Sequence, residues 1–202
     1  MSDSASALQT NPSLLVRLRN AHDEEAWRVF LELYGPVVFR GCRRRSLQDA
    51  DATDVTQEVL IEVVHSIRTF VYQPERGRFR DWLWTITRRR LARFFTRLRE
   101  NREVPVGDDP IGEPLAPDPE WSSDFNARVL EMALERTRPH FETTTWEAFR
   151  RVWLDDAPAA AAAVELQIPI ENVYLSKSRV LQRLEEEIRL LADDLPQTVP
   201  LI

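Results

Sequence analysis

Glycine is scarce in this chain, five residues in 202, and cysteine occurs once, at Cys42. A lone thiol can build neither a disulfide framework nor a thiolate cluster for zinc, so a reducing compartment fits. The few glycines leave no glycine-rich loop to cradle a phosphate. No serine or cysteine stands at a recognisable catalytic spacing from the three histidines, His22, His65 and His140. Alternating apolar and polar residues, the mark of a half-buried strand, are absent. No apolar run is long enough to cross a bilayer, and the opening residues MSDSASALQT lack the basic and apolar regions of a signal peptide. The absences point to a soluble, cytoplasmic, all-α protein with no membrane partner and no cofactor.

Charge is plentiful but unevenly placed. The net value of −6, taken whole, argues against a nucleic-acid binder. Residues 1–99, however, hold 17 basic against 12 acidic side chains, residues 100–125 hold one against eight, and residues 126–202 hold nine against 13. Local potential, not net charge, draws phosphate. Residues 76–99, RGRFRDWLWTITRRRLARFFTRLR, set nine arginines against one acid, Asp81, and thread Phe79, Trp82, Trp84, Phe94 and Phe95 among them, with Tyr72 just upstream. Guanidinium groups neutralise phosphate and flat rings stack on unpaired bases, so the mixture suits nucleic acid. It equally suits an amphipathic helix with rings in the core and arginines in water.

In chain order, apolar residues recurring at three and four predict helices over 12–20, from Asp23 to a break at Gly35-Pro36, and over 37–45. Trp27, Phe30, Leu31 and Tyr34 are expected core of the second. The next helix, 51–69, gathers Val55, Val59, Leu60, Val63, Val64 and Ile67 on one face. Ile61 falls on the other side, ringed by Asp54, Gln57 and Glu58, as an apolar anchor in a polar rim would; an isolated exposed isoleucine is also unremarkable. The basic stretch can run as one helix over 80–99 with Leu83, Leu91, Phe94 and Leu98 inward. Phe79 and Arg80 then precede it, where a loop could present them, and Trp84 lies off the main apolar face.

Residues 100–125 hold five prolines and eight acids and read as a flexible tether between two small helical domains, 1–99 and 126–202. In the second domain a helix over 124–137 is followed by one ending at Leu154, with Trp146, Phe149 and Trp153 inward. Asp155 and Asp156 would cap a short alanine-rich helix, and Gln167-Ile168-Pro169 turns into a long helix from Ile170 to about Ala192. Short helix, tight turn and longer helix make a helix-turn-helix pattern. Asn172, Tyr174, Ser176, Lys177 and Arg179 at the front of the last helix, with Arg183 a turn further on, are types that contact bases and phosphates.

Two other readings compete. Glu62-Val63-Val64-His65 has the Glu-x-x-His spacing of di-iron helical bundles, but neither His22 nor His140 has a glutamate three residues before it, so a metal-binding enzyme lacks its second motif. A stand-alone helix-turn-helix regulator explains the second domain and leaves the Asp54 to Glu58 motif and the aromatics of the basic stretch without a role.

DATDVTQEVLIEV, followed by GRFRDWLWTITRRRLARF, resembles the promoter-melting domain of bacterial sigma factors of the extracytoplasmic-function (ECF) type, and residues 129–191, around IPIENVYLSKSRVLQRL, are similar to that family's C-terminal promoter-binding domain. The resemblance implies that Asp54, Val55, Gln57, Glu58 and Ile61 bind core RNA polymerase at the clamp helices of its largest subunit, with the polymerase flap as a further contact. It implies that Arg78, Phe79, Arg80, Trp82, Trp84, Arg88, Arg89, Arg90, Arg93 and Arg97 open and hold the minus-10 element of promoter DNA. Asn172, Tyr174, Ser176, Lys177, Arg179 and Arg183 would read the minus-35 element. The family is commonly held inactive by an anti-sigma protein. Arg89 and Arg93 stand where the family often has Asn and Asp, and Gln167 stands where a turn glycine is usual.

Overall fold

A computed structural model describes residues 14–70, 79–100 and 119–192. Eight α-helices and no strand occur among the described residues, which is the all-α class expected. The chain divides into two compact units, residues 1–128 and 129–202.

The first unit contains α1 (Leu14–Arg17), α2 (Glu24–Arg44), α3 (Asp49–Ser66), α4 (Phe79–Glu100) and the opening turns of α5 (Pro119–Thr137). Asp23 starts α2: its carboxylate accepts from the Ala26 backbone N–H and from Arg17. The Arg17 bond first, and the backbone bond second, hold the Asp23 carboxyl down at about 2. Gly35-Pro36 does not interrupt α2, contrary to the sequence expectation. Proline removes the N–H that would have bonded the carbonyl four residues earlier. Arg128 supplies the missing donor, its Nε reaching the Glu32 carbonyl at 3.0 Å. Phe30, Leu33, Tyr34, Val37 and Val38 face the core, while Leu31 is exposed. Cys42 is buried beside them, and burial pushes its thiol up to about 11, leaving it a small apolar filler rather than a nucleophile.

α3 follows its periodicity. Val55, Val59, Val63 and Ile67 are buried against the unit's core, whereas Val64 is exposed instead of joining them.

Residues 119–125, expected in the tether, form the first turns of α5, and Trp121 and Phe125 are fully buried in the first unit. The remainder of the expected tether, residues 101–118, lies outside the described residues, as do residues 71–78.

The second unit holds the rest of α5, α6 (Thr143–Phe149), α7 (Ala159–Leu166) and α8 (Ile170–Leu191). α6 continues as a π-helical turn, Arg150–Leu154, in which the Asp155 N–H reaches back five residues to the Arg150 carbonyl. Trp146 and Phe149 are buried, and Trp153 stacks on Phe149 with ring centres 5.2 Å apart. Asp155 and Asp156 do not cap α7: Pro158 holds that position, and Asp155 accepts from Arg150. Ala148, Ala162, Ala163 and Val173 form a small-residue core that lets α7 and α8 cross closely.

Gln167 ends α7 in the left-handed region, φ 54° and ψ 41°, with its N–H bonded to the Ala163 and Val164 carbonyls. A Cβ costs roughly 1–2 kcal/mol there, part of which glycine returns through its looser unfolded state. Gln167→Gly should therefore stabilise the second unit by roughly 0.5–1 kcal/mol in urea unfolding.

Candidate nucleic-acid and polymerase interface

α4 is placed by its aromatic residues. Phe79 is buried, with ring centres 6.2 Å from Phe30, 5.3 Å from Tyr34, 5.6 Å from Phe70 and 5.2 Å from Trp82. Leu83, Ile86 and Leu91 continue the inward stripe, Phe94 is half-buried, and Leu98 is exposed at the helix end. The expectation that a loop presents Phe79 and Arg80 is corrected: the helix begins at Phe79, and both side chains are buried because α2 and α5 close over them.

Trp84, off the main apolar face of α4, packs against a neighbouring helix. It is only 4% exposed, its ring 5.0 Å from that of Trp121 on α5. Gly41 on α2 makes room for this pair, since a Cβ there would stand 3.0 Å from Cζ3 of Trp121. Trp121 Nε1 donates to the Arg80 carbonyl at 3.2 Å, and the Arg80 guanidinium lies over the Phe125 ring and reaches Asn126 at 3.2 Å. Two donors in this packing, Arg80 Nε and Trp84 Nε1, are buried with no hydrogen-bond partner. Burying an aromatic side chain contributes about 1.5–3 kcal/mol, and each stranded donor costs about 1–3 kcal/mol, so the unmet donors offset a large part of what the buried rings gain.

The arginines of α4 divide into two groups. Arg89 and Arg93 are exposed and Arg88 is half-buried on the outer flank. Arg90 instead turns to α3, with Nε 2.5 Å from Glu62 and Nη1 3.4 Å from Glu58, and Arg97 reaches Glu58 at 3.0 Å. Those two therefore tie α4 to α3 and offer less charge to a phosphate than their neighbours. The same ion pair occupies the Glu62 carboxylate of the Glu-x-x-His motif; among the described residues no three His, Cys, Asp or Glu side chains gather as a metal site. Arg78 lies outside the described residues.

On α3, Asp54 and Gln57 are exposed, Glu58 is half-buried, and Ile61 is 56% exposed with Val64 one turn on. Val55 is buried, as its place on the apolar face of the helix requires.

On α8, Asn172, Tyr174 and Arg179 are exposed and Lys177 is half-buried, all on the N-terminal half. Ser176 is buried, one of the residues by which α8 faces its own unit. Arg183 is held by Glu186 at 3.1 Å and by the buried Glu187 at 2.6 Å.

The sequence reading missed Gly41, Trp121 and Phe125, together with Arg40 and Arg44, which pair with acids of α5. Trp121, Phe125, Val129 and Met132 recur at four and three, a helical stripe that the prolines and acids around it obscured.

Residues 30–101 match the family model of sigma-70 region 2. The segment spans α3, α4 and most of α2, and the match supports a sigma-70 family factor with a role in RNA polymerase binding and promoter melting. No curated protein matches the chain. Among the described residues, no helix is long and apolar enough to cross a membrane.

If Arg90 is a tie between helices, Arg90→Met should lower the unfolding free energy of the first unit by about 1 kcal/mol, because it strands the half-buried Glu62. Arg89→Met should leave it unchanged. Equal losses in denaturant unfolding of the two variants would contradict the division.

Proposed function

We propose that the protein is an ECF-type sigma factor, a dissociable subunit that brings core RNA polymerase to promoters and supports strand opening. The observation that carries the reading is the coincidence of the region 2 match with a helix pair that offers two different outer surfaces. α3 presents an apolar anchor, Ile61, inside the polar rim of Asp54, Gln57 and Glu58, the anatomy of a protein interface. α4 presents Arg88, Arg89 and Arg93 along one flank, the chemistry of a phosphate track.

In this reading α3 docks on the clamp helices of the polymerase largest subunit and α4 lies along the minus-10 element. The second unit reads the minus-35 element in the major groove through Asn172, Tyr174, Lys177 and Arg179 at the front of α8. The tether runs between the two, and an anti-sigma protein would act by covering these surfaces. The chain itself performs no chemistry; binding energy spent on unpaired bases offsets the cost of opening the duplex.

A stand-alone helix-turn-helix regulator would use α8 in the same way but has no use for an exposed Ile61. Ile61→Asp should therefore weaken co-purification with core RNA polymerase at least tenfold while circular dichroism stays unchanged, a loss of about 1.4 kcal/mol or more. Unchanged recovery would remove the docking assignment, and a wild-type chain that binds duplex DNA tightly but ignores polymerase would favour the regulator.

A further inference from the structure

The opening of α5 packs on the first unit through the Trp121 ring and two carboxylates. The Trp121 ring packs on Trp84, 5.0 Å between centres, where a base could stack. Carboxylates of the same segment stand where phosphates could: Glu120 lies 3.2 Å from Arg44, Asp124 pairs with Arg44, and Asp124 is 3.9 Å from Arg40. Aromatic, acid and amide side chains on α5 thus meet aromatic and arginine side chains on α2 and α4.

The fit is incomplete. Trp84 Nε1 and Arg80 Nε, on side chains more than nine-tenths buried, have no acceptor here. Nucleic acid is rich in acceptors, on phosphates and on base edges, and α5 supplies none for these two donors.

We propose that residues 119–128 are an internal stand-in for single-stranded nucleic acid, seated on the surface formed by Gly41, Arg80 and Trp84, and that this segment leaves when a single strand binds there. The proposal rests on the sigma-factor reading for its biological occasion, the melted promoter strand, but the competition itself is a property of the first unit. With the segment seated, Arg80 and Trp84 are closed to DNA; with it released, they become the stacking ring and guanidinium that an unpaired base requires. Apparent affinity falls in proportion to the fraction of molecules that are open, so a segment seated about nine-tenths of the time weakens strand binding about tenfold.

The test uses the full chain and a fluorescein-labelled, mixed-sequence single strand of about 20 nucleotides, long enough to cover one such surface, followed by anisotropy. Trp121→Ala adds no charge and removes the ring that covers Trp84 from the side of the segment, so it should tighten strand binding several-fold. Glu120→Gln with Asp124→Asn should also tighten it, and by more than the charge-matched control Glu24→Gln with Glu135→Gln. If Trp121→Ala loses its helical circular dichroism, the neutralised pair decides alone. Affinity that is unchanged or weaker in the folded variants, or no greater than in the control, overturns the proposal. Polymerase co-purification of the wild-type chain is read separately: binding polymerase without any gain in the variants sinks the internal stand-in alone, whereas a gain without polymerase binding sinks the sigma-factor reading alone.

Discussion

The aromatic seam between α2 and α4 fixes what every outer surface of the first unit can present. Phe79 is clasped by Phe30 and Tyr34, with ring centres 6.2 Å and 5.3 Å away, and once it is seated the rotation of α4 about its axis is set. Leu83, Ile86 and Leu91 then have to point inward, and the helical period turns Arg89 and Arg93 outward. Gly41 extends the seam by leaving a gap that Trp121 fills from α5. Remove the aromatic register and the arginine flank loses its direction, whatever its charge.

Charge acts within that frame and is more selective than composition implies. A chain of net −6 still exposes Arg89 and Arg93 on the outer flank of α4. Arg90 and Arg97 are held by Glu58 and Glu62, and Arg40 and Arg44 are held by the acids of α5. Each ion pair is partly in water and weak by itself. Together they decide which guanidinium groups are available to phosphate. Glu58 belongs both to the rim around Ile61 and to the tie with α4, so the helix that carries the proposed polymerase surface is pinned to the helix that carries the proposed DNA surface.

Much of this was legible in the sequence because one helix carries its own period. The buried face of α3 and the exposed Ile61 follow from spacing, and so does the pattern of short helix, tight turn and longer helix; the strained turn at Gln167 was marked by the family resemblance, in which glycine is usual there. What was not legible depended on partners distant in sequence. Pro36 reads as a break until Arg128 is found donating to the Glu32 carbonyl. Trp121 and Phe125 read as tether because their neighbours are prolines and acids, and Arg80 reads as presented by a loop because its cover comes from that same segment. Ser176 and Arg183 have the right chemistry for DNA, but α8 turns the first inward and Glu187 holds the second.

The central claim is that these surfaces act together to start transcription at chosen sites. The most direct measurement is to map RNA 5′ ends made in vitro by core RNA polymerase on a genomic DNA template pool, with and without the purified chain. The account predicts discrete starts that appear only with the chain and share two upstream sequence elements, one for each unit. No chain-dependent start, from a core enzyme that still extends RNA on a pre-melted template, would contradict it.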